Sequence, residues 1–377
     1  MSMKYIVAAL LCVRFSCFSM NIAMTATPDY IDYAMVAIHS MSKCTPASTD
    51  NPHRIVVFLD GTSAADRERL LCLTSPTLLI HPVDLQNPIW DGIMQQLEKI
   101  KEQGYQARHR IVSLRLLFPN IWRSGNLGRL GIPEMKEFLF LDSDLLVVKS
   151  LQPLWDECSR VDQPIIGANL WFITEDNLGR AVPLFCGGVG RISGKHLQRR
   201  PNGQISARTS GGVVFWKMDK ILEIYRRRGF GDFLIRQGPG QEEEVVFDSF
   251  LSRLGDQVYF FPYTFNARPD YRQIARNLWE EYGMARNALA ADPLCDGQGP
   301  NAFFVRQLQN TKGRDCSDMY TAPAIQTLES LAKGDVAVWH WDGCKYKPND
   351  PRCTVAPGSP EEIWRQHFQE ISEILAP

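Results

Sequence analysis

Apolar and polar positions change period several times along this chain. Met20 to Ala26 is a short apolar run that predicts a strand. Thr27-Pro28-Asp29 interrupts it as a turn, and Ala34, Ala37, Ile38 and Met41 then share one helical face. Arg54 to Leu59 predicts a second strand, Ala64 to Leu73 a helix, and Thr77 to Ile80 a third strand. Ile93, Met94, Leu97 and Ile100 form a helical stripe, and Ile111, Leu114, Leu116, Leu117 and Phe118 form another. Between Leu139 and Val148 every residue is apolar except Asp142, Ser143 and Asp144, which reads as a strand buried on both faces with two acids at its end. Pro164–Ala168 adds a strand, and Val336–Gly343 reads as a strand ending in a loop. Ser359-Pro360-Glu361-Glu362 fits a capping box and opens a helix with Ile363, Trp364, Phe368, Ile371 and Leu375 on one broad face. Strands alternating with helices predict an α/β fold: a doubly wound, mostly parallel sheet with helices on both faces.

Composition narrows the function classes. The chain of 377 residues is long enough for one large core or two small ones. With 41 basic against 42 acidic residues there is no electrostatic footprint for nucleic acid or an acidic membrane. The apolar run Tyr5–Val13 is too short to span a bilayer, which takes about 20 residues. Residues 1–19 are therefore either a signal peptide, cut short by Arg14, or an upstream extension. The first case places the protein in the secretory pathway or Golgi lumen, the second in the cytoplasm. Eight cysteines follow Met20, an even count that permits disulfides, with no Cys-x-x-Cys zinc spacing and no Asn-x-Ser/Thr sequon.

The candidate chemistry centres on Asp142 and Asp144. Two carboxylates two positions apart at a strand end repel each other, and burying them unpaired is costly, so they favour a cation. Mg²⁺ and Mn²⁺ take oxygen ligands and are often shared with substrate phosphates. Open α/β sheets bind ligands at the carboxyl ends of their strands. The alternative is a turn capped by acids.

The longer block Phe138 to Trp155, with Leu151-Gln152-Pro153-Leu154-Trp155 after the acids, resembles the donor-site segment of the family 8 glycosyltransferases. These are retaining enzymes of the GT-A fold that use UDP-sugars and Mn²⁺. Other blocks resemble the family in order. Tyr30 followed by Ala34-Met35-Val36 fits the opening motif and implies Tyr30 against uracil, with Ala26 and Asp29 beside the nucleoside; the alternative for Tyr30 is a hydrophobic staple. Ser113 to Pro119 resembles the family's Arg-Leu-x-x-Pro segment and implies Arg115 facing the diphosphate, where a guanidinium suits phosphate oxygens. Phe261 to Asn266 matches a further segment in kind and spacing. The block His340-Trp341-Asp342-Gly343-Cys344-Lys345-Tyr346-Lys347-Pro348 resembles the closing His-x-x-Gly-x-x-Lys-Pro motif with one extra residue. It implies His340 as third metal ligand and either Lys345 or Lys347 as the diphosphate clamp, near Gly343; a lone His at a strand end is otherwise structural.

Three positions depart from the family pattern. The run Gly167-Ala168-Asn169-Leu170-Trp171 lacks the sugar-binding Asp usual just beyond this strand, a departure at Trp171 that leaves Asn169 as its substitute; Ser210 precedes Gly211 where Asn is usual, and Glu243-Glu244 replaces Asp-Gln beside the anomeric carbon. Both glutamates also suit a helix start, where acids complement the dipole.

The resemblance implies one GT-A domain over residues 20–354, with insertions near 122–133, 172–207 and 284–334 and an amphipathic helix at 355–377 packed on it. It further implies Mn²⁺ or Mg²⁺ as cofactor and transfer of a hexose or N-acetylhexosamine from a UDP-sugar to a carbohydrate, glycan or protein acceptor. Asp142, Asp144 and His340 would hold the metal. Glu243 and Glu244 would act at the sugar, and Ser143, Asn169, Ser210 and Gly211 would line the donor. No nucleic acid and no transmembrane span are expected. The departures leave a sugar-nucleotide-binding pseudoenzyme open, and a nucleotidyltransferase also fits a similar fold.

Overall fold

The computed structural model describes residues 19–102, 110–161, 166–170, 173–175, 181–183, 198–199, 205–206, 209–228, 247, 258–261, 263–269, 271–291, 322–341 and 347–376. Its main body is a seven-stranded sheet. The strands are β1 (Asn21–Ala26), β2 (His53–Leu59), β3 (Leu78–Asp84), β4 (Glu137–Leu141), β6 (Ile166–Leu170), β7 (Thr209–Lys217) and β8 (Val258–Phe260), while β5 (Leu145–Val147) stands outside it. Their order is β8–β6–β7–β4–β1–β2–β3. Neighbours are parallel except around β7, which runs against both β4 and β6. The sheet is mostly parallel, as expected, and mixed only through the one reversed strand β7.

Alternation within the central strands sends side chains to two cores. Ile22 and Met24 of β1, Leu139 and Leu141 of β4, and Val213 and Phe215 of β7 enter one. Ala23, Phe138, Phe140, Val214 and Trp216 enter the other. Strands covered on both faces have to be apolar throughout, which is why these segments stand out in sequence.

The helices are α1 (Ile31–Cys44), α2 (Ala64–Leu71), α3 (Asp91–Glu102), α4 (Phe118–Ser124), α5 (Gln152–Arg160), α6 (Met218–Arg228), α7 (Tyr271–Ala291), α8 (Ala322–Lys333) and α9 (Pro360–Leu375). α1 is buried along most of its length, from Ile31 to Met41. Among the described residues no helix is long and apolar enough to cross a membrane, and the described cysteines Cys44, Cys72, Cys158 and Cys353 form no disulfide.

Four local expectations are refined. The apolar block 139–148 is two strands, because Asp142-Ser143-Asp144 turns the chain out of the sheet and β5 pairs instead with β9 (Val338–His340). The stripe at Ile111–Phe118 is a 3₁₀ segment (Arg110–Leu117) running into α4. Residues 122–133, expected as an insertion, are partly helical: α4 ends at Gly125, whose left-handed φ of 68° suits a residue without Cβ, and a further turn (Asn126–Arg129) follows. At α9 the Ser359 hydroxyl accepts from the Glu362 amide as expected, but the Glu362 carboxylate takes the amide of Gly358, so only half of the capping box forms.

Candidate active site

The acids sit where the sheet gives them up. β4 ends at Leu141, and the Asp142 amide donates to the Gly212 carbonyl at 2.8 Å. Because β7 is reversed, its first residues lie beside the last residues of β4. β5 then leaves the sheet and is fixed from α1: Ser40 Oγ accepts the Val147 amide at 3.1 Å, and Thr45 Oγ1 accepts the Leu151 amide at 3.0 Å. β5 pairs antiparallel with β9, His340 opposite Leu145, which returns the imidazole to the acid loop. The His340 amide donates to the Ala267 carbonyl and the Trp341 amide to the Asp144 carbonyl, pinning both sides of the turn.

Three candidate ligands converge. His340 Nε2 lies 3.5 Å from Asp142 Oδ2 and 3.3 Å from Asp144 Oδ1. One ligand atom from each residue falls within 4.8 Å of the other two. Asp144 and His340 are buried, while Asp142 is half-exposed. The donor set fits a divalent cation shared with phosphate: two carboxylates supply hard oxygens, and Asp142 keeps an open side.

Two cations close over the acids. Lys347 pairs with Asp144 and lies over the Tyr30 ring, 4.8 Å from its centroid. Arg115, buried, has Nη1 at 3.8 Å from Asp142 and lies 5.5 Å over the Phe247 ring. Burial alone would raise the Asp144 carboxyl; the hydrogen bond and charge of His340 and the charge of Lys347 outweigh it and hold the group well below the usual carboxylate range. Burial lowers Lys347, and the neighbouring Asp144 reverses that, so its net shift is upward. Burial pushes the Tyr33 phenol up, with Asp144 adding to the effect.

Gly211 and Gly212 explain how these groups fit. A methyl group at Gly212 would run into the His340 ring, and one at Gly211 would run into the Arg115 guanidinium. Both glycines are required for close approach rather than for backbone conformation. Gly212 and Tyr33 were not among the expected site residues. The glycine doublet was a visible signal for the first, and the Tyr30–Tyr33 spacing on the opening turn was one for the second, whose ring centroid is 5.6 Å from that of Tyr30.

Ala26 ends β1 buried, Asp29 is exposed on the 3₁₀ turn Pro28–Tyr30, and Ser143 is buried between the acids. Asn169 and Ser210 are register partners on β6 and β7, which brings the substitute for the missing Asp beside the Ser210 departure, while Trp171 lies outside the described residues. Glu243, Glu244, Gly343 and Lys345 lie outside the described residues.

Residues 21–159 match the family model described as Glycosyl transferase family 8. The resemblance to family 8 is shown over this stretch. It takes in the acids and Arg115 but stops short of Gly212, His340 and Lys347. No curated protein matches the chain. Solved structures do. An active-site mutant of LgtC superposes with a TM-score of 0.53 at 19% identity, covering 93% of this chain and 96% of that one. The galactosyltransferase LgtC in complex with donor and acceptor sugar analogs gives 0.51 at 18%, with the same coverage. The bifunctional glycosyltransferase WbbM, in its apo form, gives 0.54 at 14%, covering 96% of this chain and 52% of that one. At these identities the likeness is one of fold, the GT-A fold. The family match and the shared fold support a glycosyltransferase.

Proposed function

We propose that this glycosyltransferase moves a hexose or N-acetylhexosamine from a UDP-sugar to an acceptor hydroxyl with retention, using Mn²⁺ (or Mg²⁺) held by Asp142, Asp144 and His340. The observation that carries the reading is the convergence of two carboxylates and one imidazole from separate elements, with Lys347 and Arg115 beside them. Bound there, the cation would offset charge on the diphosphate as the leaving group departs.

The chain's own residues do the rest. Tyr30 stacks against uracil, with Ala26 and Asp29 beside the ribose and Ser143 at the phosphates. Arg115 and Lys347 bring fixed positive charge to the diphosphate, and Lys347 exchanges its contact with Asp144 for the phosphate oxygens. The 345–347 loop, with Gly343 and Lys345, closes over the nucleotide. Asn169, Ser210 and Gly211 line the sugar. In this reading residues 20–354 form one catalytic domain on which 355–377 pack.

A titration of UDP with and without Mn²⁺, followed by UDP release over a donor panel, tests the reading. Asp144→Ala should lower Mn²⁺-dependent UDP affinity about 100-fold or more, the scale of losing a hydrogen-bonded charged partner. UDP affinity unchanged in that variant removes the metal assignment. Binding without turnover on any donor and acceptor would make the protein a sugar-nucleotide-binding pseudoenzyme, and preference for a nucleoside triphosphate would make it a nucleotidyltransferase.

Glu243 is assigned to donor hydroxyls and Glu244 to the β face of an α-linked donor, where a carboxylate can attack the anomeric carbon or stabilise an oxocarbenium-like transition state. Glu244→Gln should then lower kcat by about two orders of magnitude with donor affinity preserved. Near-wild-type turnover would remove Glu244 from the mechanism and favour attack by the acceptor on the leaving-group side.

A further inference from the structure

A second set of groups able to hold a cation joins α1 and α9. It consists of His39 on α1 with His367 and Glu370 on α9. The two imidazoles meet edge to face, centroids 5.2 Å apart and planes at 78°, and their Nδ1 atoms approach to 3.1 Å. Glu370 Oε2 lies 3.7 Å from His39 Nε2, and Lys43 Nζ lies 3.7 Å from the same oxygen. His39 is buried, whereas Glu370 is exposed, so the cluster opens to solvent on one side. His367 and Glu370 are three residues apart, which places both on one helical face.

The Nδ1–Nδ1 approach is the informative feature. Two ring nitrogens aimed at each other hold at most one proton between them, so at least one must present a lone pair. A tetrahedral zinc ion binds imidazole nitrogens at about 2.0–2.1 Å, which sets two of them roughly 3.4 Å apart. The observed separation is close to that span. Two nitrogens and one oxygen suit a borderline transition ion, whereas the two carboxylates and single imidazole of the donor site suit a harder one.

We propose that His39, His367 and Glu370 form a second metal site, for an ion of the zinc class, that clamps α9 onto α1. The clamp would act on a helix that braces the donor side. Trp364 packs on Tyr33 with centroids 5.3 Å apart, Trp341 Nε1 donates to Glu361 at 3.3 Å, and Arg365 Nε donates to the Pro348 carbonyl at 3.0 Å. Those three contacts reach the residues next to His340 and Lys347. The metal site itself does not depend on the donor reading.

The test uses the full chain carrying Asp144→Ala, which dismantles the donor-side ligand set, after chelation and dialysis. Zn²⁺ is titrated by calorimetry, and the unfolding midpoint is measured with and without it. One equivalent should bind and raise the midpoint. Adding His367→Ala should weaken binding tenfold or more and abolish the rise, and Glu370→Gln, at an exposed position that tolerates substitution, should weaken it to a lesser degree. Zn²⁺ binding unchanged by both substitutions, or no binding to the parent, overturns the proposal. Manganese-dependent UDP binding in the protein without Asp144→Ala provides a separate readout, so failure of either site is seen independently of the other.

Discussion

The two faces of the sheet are built from different chemistry. On one, rings gather around Phe118: Phe138 at 5.3 Å, Phe140 at 5.4 Å, Trp122 at 5.7 Å, and Phe58 and Trp216 at 5.9 Å between centroids. On the other, the strands present Ile22, Met24, Leu139, Leu141 and Val213 to α1, and the contacts that matter next are polar: Ser40 to Val147, Thr45 to Leu151, Gly212 to Asp142. The aromatic face is held mainly by packing and dispersion, with Trp122 Nε1 donating to the Met135 carbonyl at 2.8 Å. The other face uses its hydrogen bonds to aim a loop. Stability rests mainly on one side of the strands and aiming of the acid loop on the other, with Arg115 reaching from the Phe247 ring of the aromatic side to Asp142, and substitutions can separate the two.

The largest expected effect is on the aromatic face. Phe118→Ala should destabilise the protein by about 3–5 kcal/mol, the range for removing a buried ring, as measured by denaturant unfolding. The protein that still folds should bind UDP in Mn²⁺ with near-wild-type affinity. A loss of UDP binding in folded Phe118→Ala would break the division between faces.

Gly212→Ala should behave in the opposite way. The added methyl has to displace the His340 ring. Overpacking of this kind costs about 1–3 kcal/mol, and a displaced imidazole should lower Mn²⁺-dependent UDP affinity tenfold or more, about 1.4 kcal/mol. Calorimetry with and without Mn²⁺ measures this. Equal UDP affinity in the variant would mean that His340 is not held by Gly212 in the way the geometry requires.

The smallest effect comes from acid. His53, buried at the start of β2, accepts the Met20 amide at Nδ1 and donates from Nε2 to the Thr45 carbonyl at the end of α1. That arrangement needs the neutral ring, and burial lowers the group below its ordinary value near 6.5, with the Thr45 carbonyl opposing in part. A folded-state value below the unfolded one means that the unfolded chain binds the extra proton first. The stabilisation is present above pH of about 6.5 and is lost as pH falls from there through the folded-state value. The unfolding midpoint of the wild type should therefore drop faster on acidification than that of His53→Asn, and hydrogen exchange should show α1 loosening before α4. Identical slopes for the two proteins would remove His53 from the pH dependence.

Much of the aromatic face and the centre of the site was legible in sequence. β1, β2 and β4 are continuous apolar runs because both faces are covered, and Asp142 and Asp144 interrupt the third run visibly. His340 and Lys347 came from resemblance to a family motif, since nothing local marks them. The reversed strand β7 was not legible: direction is set by pairing with β4 and β6, and the sequence carries only the apolar alternation. The turn that splits β4 from β5 was hidden because Leu145–Val147 is as apolar paired with β9 as it would be inside the sheet. The His39–His367 contact joins residues 328 positions apart, beyond any periodic signal.

The distance between Lys347 and Asp144 along the chain, 203 residues, has a consequence for synthesis. The acids, α1 and the first four sheet strands emerge from the ribosome long before β9 and the lysine loop. At a translation rate of about 5–20 residues per second, the interval lasts roughly 10–40 seconds. During that time the nascent protein holds a carboxylate pair without its imidazole or its lysine. In the proposed reading such a chain lacks its third metal ligand and its diphosphate clamp until β9 and Lys347 have emerged.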